Sequence, residues 1–170
     1  GISKDVFRTI AGTTGVMELQ PGQVNWGIFN PQPMPGAVRM WLWHAYSGGC
    51  KLACNYRFRQ PLTGNEQFHY GMVGTDGVTV SSGGQAYTQF IREIEQLRTY
   101  VPSEGSPPMP DPLRAMRTAI LYDLDSRFEQ DNQPQSDRWS YMAHLEKYYQ
   151  ALKSIGAPVD IIDHHQRLDG

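Results

Sequence analysis

Gly15-Val16-Met17-Glu18-Leu19-Gln20-Pro21-Gly22 is a short apolar run that ends on a lone carboxylate and breaks into a Pro-Gly turn, with Gln23-Val24-Asn25-Trp26 directly behind it. Residues 13–20 read as a buried strand, and Pro21 to Pro35 form a loop too rich in Pro, Gly and Asn to be regular. From Gly36 the pattern changes. Ala37 to Tyr46 is apolar on nearly all sides, with Pro35 suited to a first helical turn and Ser47-Gly48-Gly49 at the end, which predicts a largely buried helix. Lys51 to Phe58 reads as a second strand with a polar, aromatic end. Pro61 and Gly64 then open another long loop, which contains the tight turn Thr75-Asp76-Gly77-Val78 and runs to Gly83-Gly84. Tyr87 to Tyr100 places Phe90, Ile91, Ile94 and Leu97 on one stripe and so predicts an amphipathic helix. Strand, loop, helix, twice over, makes two successive βα units. Such units imply a parallel sheet covered by helices, an α/β fold.

Working outward, Val6 to Ala11 is loosely amphipathic and could close a preceding helix. On the other side, residues 101–112 hold five prolines among twelve residues, which neither a helix nor a strand can accommodate, and this predicts a domain boundary. Beyond it, Arg117 to Tyr122 reads as a strand ending at Asp123. Trp139 to Ile155 is a helix through Met142, Leu145, Tyr148, Tyr149 and Leu152, and Ala157 to Ile162 is a further strand. The expected division is therefore 1–100, a proline-rich linker at 101–116, and a βαβ unit at 117–170. Two βα units and a lone βαβ both leave sheet edges and apolar helix surface uncovered, so the chain reads as the middle of a longer one.

Among its 170 residues, fifteen basic and seventeen acidic side chains give a net charge of -2, without a single-sign run, so neither nucleic acid nor an anionic membrane is an expected partner. No run of eighteen apolar residues is present to span a membrane, and the opening residues lack the charged and apolar regions of a signal peptide. That favours the cytoplasm, although any leader of a longer chain would lie upstream. The two cysteines, Cys50 and Cys54, are too few for a disulfide framework. Four apart, they share one side of a strand and diverge along it, and they read as buried free thiols.

Both N-terminal strands deliver polar residues at their C-terminal ends, the edge at which parallel α/β folds bind ligands. Glu18 and Trp26 lie at the first such end; Tyr56, Arg57, Arg59, Glu66 and His69 lie at the second. Carboxylates, an indole and an imidazole at one rim suit a sugar, whose hydroxyls need donors and acceptors and whose C–H face packs on an aromatic ring. Glu66-x-x-His69 could form half a metal site, but no third ligand stands at suitable spacing, so neither metal nor cofactor is expected. Trp41, Trp43 and His44 read as packing residues, and Tyr148, Tyr149 and Leu152 as core. Arg57 and Arg59 either brace the rim through salt bridges or touch the substrate. His164 and His165 read as exposed strand-end residues.

Met17-Glu18, Gln20-Pro21-Gly22, Asn25-Trp26, Asn30-Pro31, Pro35-Gly36, Trp41, Trp43, Ala45, Tyr56-Arg57-Phe58-Arg59-Gln60, Glu66-Gln67-Phe68-His69 and Gly74 form an ordered series. It resembles the β-galactosidases of glycoside hydrolase family 42 closely over residues 13–98, and the remainder resembles, more loosely, the start of that family's trimerisation domain. The resemblance implies the last two βα units of a (β/α)8 TIM barrel followed by the first βαβ of a flavodoxin-like domain. It also implies hydrolysis of terminal β-D-galactose residues with retention, and a homotrimer in the full-length protein. By the same resemblance Glu18 is the catalytic nucleophile, Trp26 lines the galactose subsite, Tyr56 is an aromatic wall, and Glu66 and His69 bind sugar hydroxyls. A retaining glycosidase needs a second carboxyl group about 5 Å from the first. In the family that group is a glutamate after an asparagine, on a strand upstream of anything present here, so this chain alone is expected to be inactive. The alternative is a non-catalytic carbohydrate-binding or oligomerisation piece.

Overall fold

In the computed structural model, residues 1–101 and 118–166 are described; the proline-rich linker, the first residue of the third expected strand and the C-terminal residues 167–170 lie outside them. The chain forms two compact units, Gly15–Pro108 and a second made of Gly1–Thr14 with Met109–Gly170. Residues 1–14, which the sequence groups with the stretch up to residue 100, thus pack in the second unit.

The first unit contains β1 (Thr14–Leu19), α2 (Ala37–Ser47), β2 (Cys50–Asn55) and α3 (Ser82–Tyr100), with β1 and β2 paired side by side. Its core is Leu19, Val38, Leu42 and Tyr87, packed by Val16, Ala53, Met72, Ala86 and Phe90. The α2 helix is buried on one side only, since Met40, Trp41 and His44 are exposed, so the expected near-complete burial does not hold within this unit. Its inner face is fixed by Glu93 of α3, which accepts from Arg39 Nε at 2.9 Å and from Trp43 Nε1 at 2.7 Å. Cys50 and Cys54 form no disulfide and are only half-buried, not buried as expected.

The α3 helix starts five residues before the expected Tyr87. Gly83 and Gly84, which read as loop, form its first turn because a side chain there would meet backbone: a Cβ on Gly83 would lie 1.6 Å from Pro21 O, and one on Gly84 2.2 Å from Met72 O. The Ser81 hydroxyl caps this turn by accepting from Gly84 N at 3.0 Å, and it donates to Gly71 O at 2.7 Å. The helix is thereby seated against the turn that follows Glu18. In the predicted tight turn, Gly77 takes φ +75 and Asp76 Oδ1 accepts from the amides of Val78 and Thr79.

The second unit contains α1 (Ile2–Ala11), β3 (Ala119–Leu121), α4 (Leu124–Asn132), α5 (Tyr141–Ser154) and β4 (Asp160–Ile162). β3 and β4 run parallel, with Ile120 opposite Ile161, as a βαβ unit requires. Leu145, Val159 and Ile161 form the buried centre. The α1 helix ends at Gly12 in the left-handed region and turns two charged residues inward. Arg8 is held by Asp5 Oδ1 at 2.7 Å and by Asp160 Oδ1 at 3.0 Å, while Tyr149 donates to Asp5 Oδ2 at 2.6 Å. Buried charges survive only when so paired.

Candidate active site

Glu18 occupies the penultimate position of β1, exposed, and its Oε1 accepts from Gln20 Nε2 at 2.6 Å. The two residues share a face because strand side chains alternate with a period of two. Tyr56 follows β2 directly, its amide donating to Leu19 O at 3.1 Å, so the ends of both strands stand together. The Tyr56–Arg57 peptide is cis.

Four of the five residues singled out from the sequence meet in one cluster. The Tyr56 hydroxyl donates to Glu66 Oε2 at 2.6 Å, and Arg57 Nη1 reaches the same oxygen at 3.0 Å. The His69 ring packs edge-on between two aromatics, with centroids 5.7 Å from Trp26 and 6.2 Å from Tyr56. Trp26 is 66% exposed and His69 only 2%, so the indole stands open to solvent above a buried imidazole. Among the described residues, neither ring nitrogen of His69 has a hydrogen-bond partner. Glu18 joins the cluster electrostatically: the Tyr56 phenol is pushed up first by its bond to Glu66, with the Glu18 carboxylate adding to the rise.

Of the two roles weighed for the arginines, the contacts made within the chain are bracing ones. Arg57 pairs with Glu66 and lies 5.1 Å from the Tyr56 ring centroid, and Arg59 donates to Thr75 O at 2.6 Å; both brace the loop. Asn25, which donates to Asn65 O at 2.5 Å, ties the first loop to the second and was quoted in the sequence without a role. Gln20 was likewise passed over, although its i+2 spacing from Glu18 signals a shared face. His164 and His165 are exposed as expected, and Nδ1 of His164 lies 3.1 Å from Asp123 Oδ1.

Strand-end carboxylate, buried imidazole and open indole beside two paired strands define an α/β protein with a polar, aromatic rim. The chain belongs to the beta-galactosidase family, glycoside hydrolase family 42, whose model matches residues 1–97, and the model of the beta-galactosidase trimerisation domain matches residues 116–170. A beta-galactosidase of Thermus thermophilus is 33% identical over 159 residues, covering 93% of this chain and 23% of its own length. The beta-galactosidase Bga of Halorubrum lacusprofundi is 32% identical over the whole of this chain and 23% of its own. Among solved structures, a beta-galactosidase from the psychrophilic Marinomonas ef1 superposes with a TM-score of 0.82 at 32% identity, covering 99% of this chain and 26% of that one. The chain spans about a quarter of the length of the relatives it matches.

Proposed function

We propose that this chain supplies the nucleophile and one wall of the sugar pocket of a retaining β-galactosidase, as part of a longer enzyme. Residues 1–100 include the last two βα units of its (β/α)8 barrel, which begin at β1, 101–116 are the linker, and 117–170 are the first βαβ of a flavodoxin-like domain through which three copies associate. The observation that carries the reading is His69. A buried imidazole with both nitrogens unpartnered among the described residues gives up its hydration without compensation, and a bound ligand is one way to restore it. A sugar offers hydroxyls that both donate and accept, as a neutral imidazole does. Trp26 beside it presents an open aromatic face to a pyranose C–H surface. Glu66, already accepting from Tyr56 and Arg57, is held as an acceptor for further hydroxyls.

In the first step Glu18 Oε2 attacks the anomeric carbon while the bond to the leaving oxygen breaks, and a carboxylic acid from outside these residues protonates that oxygen. In the second, water attacks the same carbon and gives its proton to that carboxylate. The electron pair of the ester bond returns to Glu18. The test is trapping of the longer enzyme with a 2-deoxy-2-fluorogalactoside followed by peptide mapping. The label is expected on Glu18, and a label on any other carboxylate would overturn the assignment.

A further inference from the structure

The Gln20 side chain is bound in an unusual way. Its Nε2 donates to Glu18 Oε1 at 2.6 Å, while its own Oε1 is buried with no hydrogen-bond partner among the described residues. A carboxylate only accepts, so the amide has one orientation available to it, and in that orientation the carbonyl oxygen gives up its hydration without return. An amide free to choose would turn that oxygen toward a donor or into water. The side chain is thus committed to Glu18 at a local cost.

We propose that Gln20 is a positioning residue for the second half of the reaction. The inference rests on Glu18 being the nucleophile. With Oε1 engaged by Gln20, Oε2 is the oxygen left to attack the sugar. In the glycosyl-enzyme Oε1 becomes the carbonyl oxygen of the ester, still facing the amide donor. When water displaces Glu18 from the anomeric carbon, the C1–Oε2 bond breaks and negative charge returns to the carboxylate. A donor already aimed at Oε1 stabilises that charge as it develops, without reorganisation. Gln20 therefore favours departure of the sugar more than its capture.

The test compares Gln20→Ala and Gln20→Glu with the parent in the longer enzyme, using a 2-deoxy-2-fluorogalactoside. Gln20→Glu keeps the shape, removes the donor and sets a like charge against Glu18. Trapping is expected to proceed at near the parent rate and on Glu18. Release of the trapped sugar is expected to slow about tenfold in Gln20→Ala and further in Gln20→Glu. With an aryl galactoside, kcat and KM should fall together, because the glycosyl-enzyme accumulates. A merely structural role makes the isosteric Gln20→Glu the milder change and lowers trapping and release alike. That pattern, or unchanged release with the label on Glu18, overturns the inference and leaves the nucleophile standing; a label elsewhere overturns both.

Discussion

Tyr56 and Arg57 converge on one oxygen of Glu66, and His69 beside them has no such partner among the described residues. Neighbouring polar groups in one cluster therefore follow opposite rules. Glu66 is satisfied within the chain, so replacing it would disturb the loop as well as any ligand. His69 is unsatisfied, so an apolar side chain of similar size removes a desolvation penalty without breaking a bond. His69→Leu in the longer enzyme is accordingly expected to leave the thermal midpoint unchanged or higher, while raising KM for a galactoside about tenfold or more, the loss of at least one ligand hydrogen bond. A lower midpoint with KM unaltered would assign His69 to the core. Sequence named the residue because it stands with Glu66 in the loop after the second strand and within the series that resembles the family. It could not show that the nitrogens are unpaired, which depends on how Trp26 and Tyr56 close over the ring. Arg57 was undecidable for the same reason, since its partner Glu66 lies nine residues away across a loop.

At the level of elements, the turn that follows the Glu18 strand is seated against a helix that touches it through glycine. Gly83→Ala would drive a Cβ into Pro21 O, which is backbone and cannot swing aside. The expected cost is at least about 2 kcal/mol, as for overpacking elsewhere. Loss of the cap in Ser81→Ala costs about 1 kcal/mol, so the order of the two lowered unfolding midpoints checks the explanation. An equal or reversed order would show that the first turn of α3 yields. The α3 start was misplaced in the sequence for this very cause: Gly-Gly suggests a loop when only propensity is weighed, and the close approach that demands glycine is a tertiary fact. The α4 helix was missed because its nine residues are mostly polar and none is buried, leaving no apolar period to detect. Its start was nonetheless written in Asp123, whose carboxylate accepts from Ser126 N at 3.1 Å. In contrast β1, α2, β2, α5 and the parallel pairing of β3 with β4 follow from runs whose period survives in isolation. What failed for α2 was the extent of burial, which depends on neighbours the helix does not have within its unit.

Considered whole, the chain presents a fully exposed apolar residue at Ile28 and largely exposed ones at Phe29, Met34 and Met40, together with, among the described residues, two sheets of two strands each. Such surfaces are seldom left open on a monomer. The chain prepared by itself is expected to associate, measured by light scattering, and to show no galactoside hydrolysis, while the longer protein is expected to hydrolyse aryl galactosides. A monomer with a sharp cooperative transition, or turnover by the chain alone, would contradict the proposed division of the catalytic pair. The position of α1 has a practical bearing on how this chain can be taken apart. Its prolines invite a cut near residue 101, yet such a cut would strand α1 with the wrong half, since Arg8 is bound to Asp160 and Asp5 to Tyr149 across more than a hundred residues of sequence. A piece beginning at residue 118 would keep the acceptor and the phenol and lose both of their charged partners. Residues 1–14 therefore act as a splint for the C-terminal unit, and dissection of the chain has to supply that helix, covalently or as a separate peptide, before the unit can be studied alone.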